Sequence, residues 1–358
     1  MIRIGVIGTG AYGSLHLSAL KDRQLNGKDV VLSGFSEIDT AARKANEKEF
    51  GCKGYDDFHE MISKEKLDAV TIATPDHLHY AITMECLKYG IPILLEKPFA
   101  TKTAEAEAMM KKASDANIFL QIDFHKRFDP YHIDLKMRMR DKEIGTLQYG
   151  YFWIEDVLDV GTKMIGKKTW GINSSPTWFL GIHAIDLALW LMDFPKPVEV
   201  YAKGFKGKLT SLGIDIYDSI KATVGFDNGA TITFDNSVIL PNSYEARVHQ
   251  GLKLIGTEGI VELDTQYRGG RYCVSQRGME TPNLGGKHRF YNKQGNISWR
   301  GYLYEAIHDF VDNINLLKSG KTISELKGSY PSPDEGLVST KVGEAIHESI
   351  AAKKVLFL

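Results

Sequence analysis

Apolar residues open the chain in one short run, Ile2 to Ile7, that ends in glycines. A strand buried on both faces needs such a run. The pattern then alternates. Helical spacing covers 12–20, strands are expected at 30–35, 69–73, 93–95 and 118–122, and helices at 40–50, 78–89 and 103–117. Gly51 and Gly90 stand where helix C-caps belong. Strand–helix alternation at this spacing predicts right-handed βαβ units around a doubly wound parallel sheet.

The rhythm changes after about residue 123. Helical patterns at 133–140 and 182–192 precede strands that alternate apolar with polar residues at Val198–Ala202, Ser219–Val224, Ala230–Phe234 and Leu252–Ile255. Asp227-Asn228-Gly229 has the composition of a hairpin turn. Two further helices are expected at 303–317 and 335–353, and 267–294 reads as a long loop. The expected organisation is a first α/β domain over 1–122. A second, α+β domain over 123–358 would be built on a large, mostly antiparallel open sheet.

Composition adds exclusions. With 44 basic and 45 acidic side chains in 358 residues, the formal net charge is −1. That balance gives no electrostatic case for nucleic acid or an anionic membrane as partner. No apolar run of transmembrane length occurs, and the chain enters a strand without the pattern of a signal peptide. Cys52, Cys86 and Cys273 have no metal-ligand spacing and read as reduced thiols of a cytoplasmic protein.

Chemistry concentrates at the carboxyl ends of the expected parallel strands. Gly8-Thr9-Gly10-Ala11-Tyr12-Gly13 is a GxGxxG directly between strand and helix. Gly8 allows the tight turn, Gly10 lets backbone approach a pyrophosphate, and Gly13 lets the helix pack on the strand. Glu37, just beyond the second strand, stands where an acid binds the adenine ribose. It favours NAD over NADP because it repels a 2′-phosphate and no basic residue follows at once. Thr74-Pro75-Asp76-His77-Leu78-His79 and Glu96-Lys97-Pro98 follow later strands. Asp123 and His125 share a strand face, with no metal partner at a recognisable spacing.

This order of motifs resembles the Gfo/Idh/MocA oxidoreductases, the group of glucose–fructose oxidoreductase and inositol dehydrogenase. The resemblance continues through His16, Arg127-Phe128-Asp129-Pro130, Gly181-Ile182-His183-Ala184-Ile185-Asp186, Gly256-Thr257-Glu258-Gly259 and the helix after Ser332-Pro333-Asp334. It implies an N-terminal Rossmann domain, homodimers or homotetramers through the second sheet, and a last helix that returns to the first domain. It also implies hydride transfer between a nicotinamide and a carbinol carbon of a sugar or polyol. Lys97 matches the catalytic lysine and begins a candidate cis Lys97-Pro98 peptide. His183 matches the general acid/base, Asp186 an acid near substrate hydroxyls, and Lys126 a basic substrate contact. Gly8 to Gly13, Glu37, Thr74, Pro75, His77, His79, Glu96 and Lys97 fall where such proteins bind the dinucleotide. The chemistry asks for these types: an imidazole to take the hydroxyl proton and an ammonium to stabilise the alkoxide.

One position departs from the pattern. Phe179 stands four residues before His183, where many members carry Asp. Either Asp156 or Glu155 replaces that acid, or the substrate presents an apolar face there. Trp178 and Phe179 read either as a platform for a sugar's C–H face or as core aromatics. A redox-neutral, NAD-dependent glycosidase and a non-catalytic dinucleotide or sugar sensor are the alternative functions.

Overall fold

The computed structural model describes residues 1–27, 29–166, 171–276 and 278–358. In chain order its strands and α-helices run β1 (Ile2–Ile7), α1 (Ala11–Asn26), β2 (Val30–Ser36), α2 (Thr40–Phe50), β3 (Lys53–Tyr55), α3 (Phe58–Glu65), β4 (Ala69–Ile72), α4 (His79–Cys86), β5 (Ile93–Glu96), α5 (Thr103–Asp115), β6 (Leu120–Asp123) and α6 (Pro130–Arg140). There follow β7 (Leu147–Val157), α7 (Ile182–Leu191), β8 (Pro197–Phe205), α8 (Lys208–Ser211), β9 (Ser219–Phe226), β10 (Thr231–Leu240), β11 (Val248–Gly256) and β12 (Ile260–Asp264). The chain closes with β13 (Tyr272–Val274), β14 (Gly278–Glu280), β15 (His288–Tyr291), β16 (Ile297–Arg300), α9 (Tyr302–Lys318), α10 (Ile323–Leu326), α11 (Pro333–Ala352) and β17 (Leu356–Phe357). Among the described residues, no helix is long and apolar enough to cross a membrane.

The chain clusters into two compact units. The first takes residues 1–100, 104–128 and 286–337. Its sheet has the order β3-β2-β1-β4-β5-β6 with every neighbouring pair parallel. That is the Rossmann order, with reversal between β1 and β4. A core of Ile2, Ile4, Val6, Leu17, Leu20 and Phe35 also contains Tyr304, Ile307, Phe310, Val311 and Ile314 from α9. Phe119 stacks on Phe310 at 6.1 Å and meets Tyr330 at 4.6 Å. Thus 286–337 joins the first unit, although a boundary after 122 was expected. The helix α11 belongs to the first unit as far as Leu337 and to the second from Val338.

The second unit takes residues 101–103, 129–285 and 338–358 around a seven-stranded sheet of order β12-β11-β7-β10-β9-β8-β17. All its pairs are antiparallel except β7 with β10. The hairpin at 227–229 forms as expected, with Gly229 at φ +85°. The central strand β7 is absent from the sequence reading because its aromatic run, Tyr151-Phe152-Trp153, masks the alternation. The loop expected over 267–294 needs correction. It contains β13, β14 and β15, short ribbon strands with too few residues to show a period; residue 277 lies outside the described residues.

No described cysteine is disulfide-bonded, and burial pushes the Cys52 thiol up to about 11 and Cys86 up to about 12.

Because α9 fills the first core, Phe310→Ala should destabilise the protein by about 3–5 kcal/mol, the usual cost of a large aromatic truncation. Urea unfolding measures it, and a loss below about 1 kcal/mol would mean α9 is peripheral to that core.

Candidate functional site

The glycine loop is built by steric necessity. Gly8 has φ +83°, and a Cβ there would lie 2.7 Å from the Ala73 carbonyl oxygen. A Cβ on Gly13 would lie 1.9 Å from the Gly8 carbonyl oxygen. A Cβ on Gly10 would meet none of the described residues within 4 Å, so its lack of a side chain serves space outside the protein. Among the described residues, no side chain caps α1. Its first N–H groups and the positive end of its dipole therefore face open space, the arrangement that receives a pyrophosphate. These residues fit a dinucleotide.

Glu37 is half-buried at the end of β2. Its Oε2 accepts from the Thr9 N–H at 3.0 Å and the Thr9 hydroxyl at 2.8 Å, and its Oε1 from the Asp39 N–H at 2.9 Å. Thr9 is fixed in turn by Asn46 at 2.9 Å. The carboxylate is thus preset beside the glycine loop. A cation does come close, unseen in the local sequence: Arg43 donates to the Glu37 carbonyl at 2.6 Å.

The other motifs of this unit gather at the same carboxyl edge of the sheet. Thr74 and Pro75 follow β4, Lys97 follows β5, and His125 and Lys126 follow β6. Lys97-Pro98 is cis. Lys97 is a buried residue, and its ammonium sits 5.3 Å from the Tyr12 ring centroid. His125 is stacked near Tyr12 at 6.0 Å and Tyr302 at 5.7 Å, and burial pushes its pKa down to about 3. Lys126 donates to the Tyr302 hydroxyl at 3.1 Å.

Two residues read as dinucleotide contacts have other employment. His79 is buried, with Nδ1 2.6 Å from the Pro98 carbonyl oxygen and Nε2 3.0 Å from that of Thr74, so it ties the two loops together. Burial pushes its pKa down. Glu96 turns inward: Oε1 lies 3.1 Å from His16 Nε2, and Oε2 accepts the Lys97 N–H at 3.1 Å. His77 keeps a buried Nδ1 that has no partner among the described residues.

His16, Glu96 and Asp123 form a buried trio whose ligand-type atoms lie within 4.8 Å of one another. The separations of His16 Nε2 from Glu96 and Asp123, 3.1 and 3.3 Å, are those of hydrogen bonds. Burial alone would lower the His16 pKa, but the two carboxylates outweigh it and raise it to about 9, which favours the protonated ring. Burial, and next Glu96, push Asp123 up, whereas His16 and Lys97 outweigh burial and hold Glu96 below the usual range.

In the second unit, α7 lies against β7 and β10 and carries His183 and Asp186, both buried. Ser339 lies 3.5 Å from Asp186 Oδ1. Trp178 is a core residue, not an open platform. Its ring stacks on His347 at 5.0 Å, and a Cβ on Gly343 would meet it at 2.4 Å. Phe179 is the more exposed of the two. Of the acids proposed to replace the missing Asp, Glu155 is bonded to His249 at 2.9 Å on one face of β7. Asp156 is buried and points to the opposite face, with Phe152 and Ile154.

Sequence reasoning treated Tyr12 and His16 only as motif positions. Their four-residue spacing, one helical turn, was the available signal. Tyr302 gave none, being far along the chain.

A GxGxxG turn, an uncapped helix and a buried lysine at the carboxyl edge of the same parallel sheet define a dinucleotide-dependent oxidoreductase. The comparisons agree. Residues 2–124 match the family described as "Oxidoreductase family, NAD-binding Rossmann fold", and residues 132–262 match the Gfo/Idh/MocA C-terminal domain. The chain is 24% identical to a myo-inositol 2-dehydrogenase of Thermotoga maritima, over 99% of this chain and 97% of that one. It is 23% identical to a scyllo-inositol 2-dehydrogenase (NADP(+)) of Bacillus subtilis, over 100% and 96%. The crystal structure of myo-inositol 2-dehydrogenase from Lactobacillus plantarum superposes with a TM-score of 0.80 at 21% identity, covering 100% of this chain and 99% of that chain. The protein belongs to the Gfo/Idh/MocA family and is an NAD(P)-dependent oxidoreductase.

The glycines make separable predictions. Gly10→Ala should leave the melting temperature unchanged and weaken NADH binding at least about tenfold, or 1.4 kcal/mol. Gly13→Ala should lower the melting temperature itself. Fluorescence titration and thermal unfolding distinguish them, and unchanged affinity in Gly10→Ala would refute the pyrophosphate position.

Proposed function

We propose that the protein oxidises a carbinol of a sugar or polyol, or reduces the corresponding ketone, with Lys97 and His183 as its catalytic residues. The observation that carries this reading is Lys97, a buried residue whose ammonium lies over the Tyr12 ring at the carboxyl edge of the parallel sheet. NAD, held by residues 8–13 and Glu37, supplies the hydride acceptor when bound. In the oxidative direction His183 takes the hydroxyl proton and Lys97 stabilises the developing alkoxide as the C–H bond gives up its hydride. Asp186, and Asp156 in place of the acid lost at Phe179, would receive substrate hydroxyls, with Lys126 as a further donor. The inositol dehydrogenases among the relatives support a cyclic polyol as substrate. Glu37 supports NAD over NADP, and Arg43 is the residue that would have to turn for a 2′-phosphate to be accepted.

Turnover is followed at 340 nm against inositols, sugars and keto-sugars, with NADH and NADPH titrated separately. Lys97→Ala and His183→Ala should each cut kcat at least about a thousandfold, roughly 4 kcal/mol, and leave NADH affinity within threefold. Near-wild-type kcat in either variant would refute its role.

We further propose that a second copy of the chain covers the open face of the second sheet. The register sets Tyr151, Thr233, Thr223 and Tyr201 in one row and Tyr149, Thr231, Gly225 and Glu199 in the next, with Phe357 opposite Glu199. All four aromatic side chains are exposed, a concentration ordinary monomer surfaces avoid. Tyr151→Lys with Tyr201→Lys should reduce the mass measured by light scattering to about 40 kDa, that of one chain. A wild-type protein already of that mass would refute the interface.

A further inference from the structure

The first turns of α1 meet both halves of the Glu96-Lys97 pair. Tyr12 and His16 are four residues apart and so lie on one face of the helix. Lys97 Nζ sits 5.3 Å from the Tyr12 ring centroid, while His16 Nε2 lies 3.1 Å from Glu96 Oε1. The other oxygen of Glu96 takes the backbone N–H of Lys97 at 3.1 Å. Asp123 shares the same ring nitrogen, its Oδ2 lying 3.3 Å from His16 Nε2. His16 is completely buried, and Glu96 and Asp123 nearly so.

We propose that His16 is a positioning residue for Lys97, acting through Glu96, so that the helix which begins at the dinucleotide loop also sets the place and charge environment of the lysine. The proposal rests on the catalytic assignment of Lys97 made above. Its logic is geometric. A carboxylate with one oxygen clamped by a ring on α1 and the other on the lysine's own backbone cannot rotate. The lysine is therefore held at two points by one helix face, by its backbone through Glu96 and by its ammonium over Tyr12. The charge follows the same path. His16 keeps Glu96 ionised beside Asp123, and an ionised Glu96 favours the charged form of Lys97. Other charged or titratable groups acting on this trio are His79 toward Glu96, and His125 and the buried Asp309 toward Asp123. None of them supplies the hydrogen bond that His16 does.

Without His16, two buried carboxylates would stand side by side with no cation between them. One would take a proton, and on Glu96, the carboxylate that His16 no longer holds ionised, that proton removes the charge support of Lys97.

The test reads Lys97 directly, without substrate or cofactor. The full chain is trace-labelled with acetic anhydride across a pH series, and the Lys97 peptide is quantified by mass spectrometry. In His16→Leu and in Glu96→Gln the labelling midpoint of Lys97 should fall by about one pH unit; in His16→Gln, which keeps an N–H toward Glu96, by less. With NAD+ and the polyol turned over by wild type, kcat should fall at least about tenfold in His16→Leu, recover in part in His16→Gln, and its alkaline limb should move to lower pH. Should His16→Leu fail to fold, the isosteric Glu96→Gln decides the matter. An unmoved Lys97 midpoint in the folded variants overturns the proposal. If the midpoint moves but Lys97→Ala remains active, the catalytic reading fails and the positioning of Lys97 by His16 stands.

Discussion

The first unit hangs on one close approach. With hydrogen alone at the Gly13 Cα, α1 comes within van der Waals contact of the Gly8 turn, where a Cβ would lie 1.9 Å from a carbonyl oxygen. Any other residue would push the helix outward. The displacement would not stop at the loop, because the same helix presents Tyr12 to Lys97 and His16 to Glu96 one turn later. The phosphate cradle, the buried lysine and the carboxylate behind it thus share one spatial reference, the axis of α1 against β1.

Much of this unit was legible in the sequence because parallel strands buried on both faces leave unbroken apolar runs, and GxGxxG has a steric meaning at each glycine. The site residues were legible as types at strand ends. Their orientation was not. Glu96 reads as a cofactor contact until its carboxylate is seen turned inward to His16, and His79 until its ring is found between two backbone carbonyls. A strand end says where a residue is; which way its side chain faces depends on partners from other strands. His16 and Asp123 are more than a hundred residues apart, a separation that carries no local pattern.

In the second unit the period of two was sound where polar and apolar residues alternate, as in β9 and β10. It failed in β7, where Tyr149, Tyr151 and Trp153 face the open side and Phe152 and Ile154 the core, so both faces read as apolar. The same alternation separates the chemistry. Glu155 and Asp156 are neighbours in sequence, yet one meets His249 on the open side and the other lies buried on the inner side. Trp178, open to two readings from sequence, is settled by Gly343 and His347, both on the last helix.

The helix α9 has a consequence for how the protein comes into being. Its side chains, with Leu326 and Tyr330 just beyond it, complete a core whose remaining members were made long before. Roughly 180 residues separate the end of β6 from α9, and a ribosome adding about 5–20 residues per second needs on the order of 10–40 s to cover them. For that interval Phe119 and the apolar flank of α1 emerge with their packing partner still unmade. The nascent N-terminal half is therefore a natural client for chaperones, and rare codons placed between the two halves would lengthen its exposure.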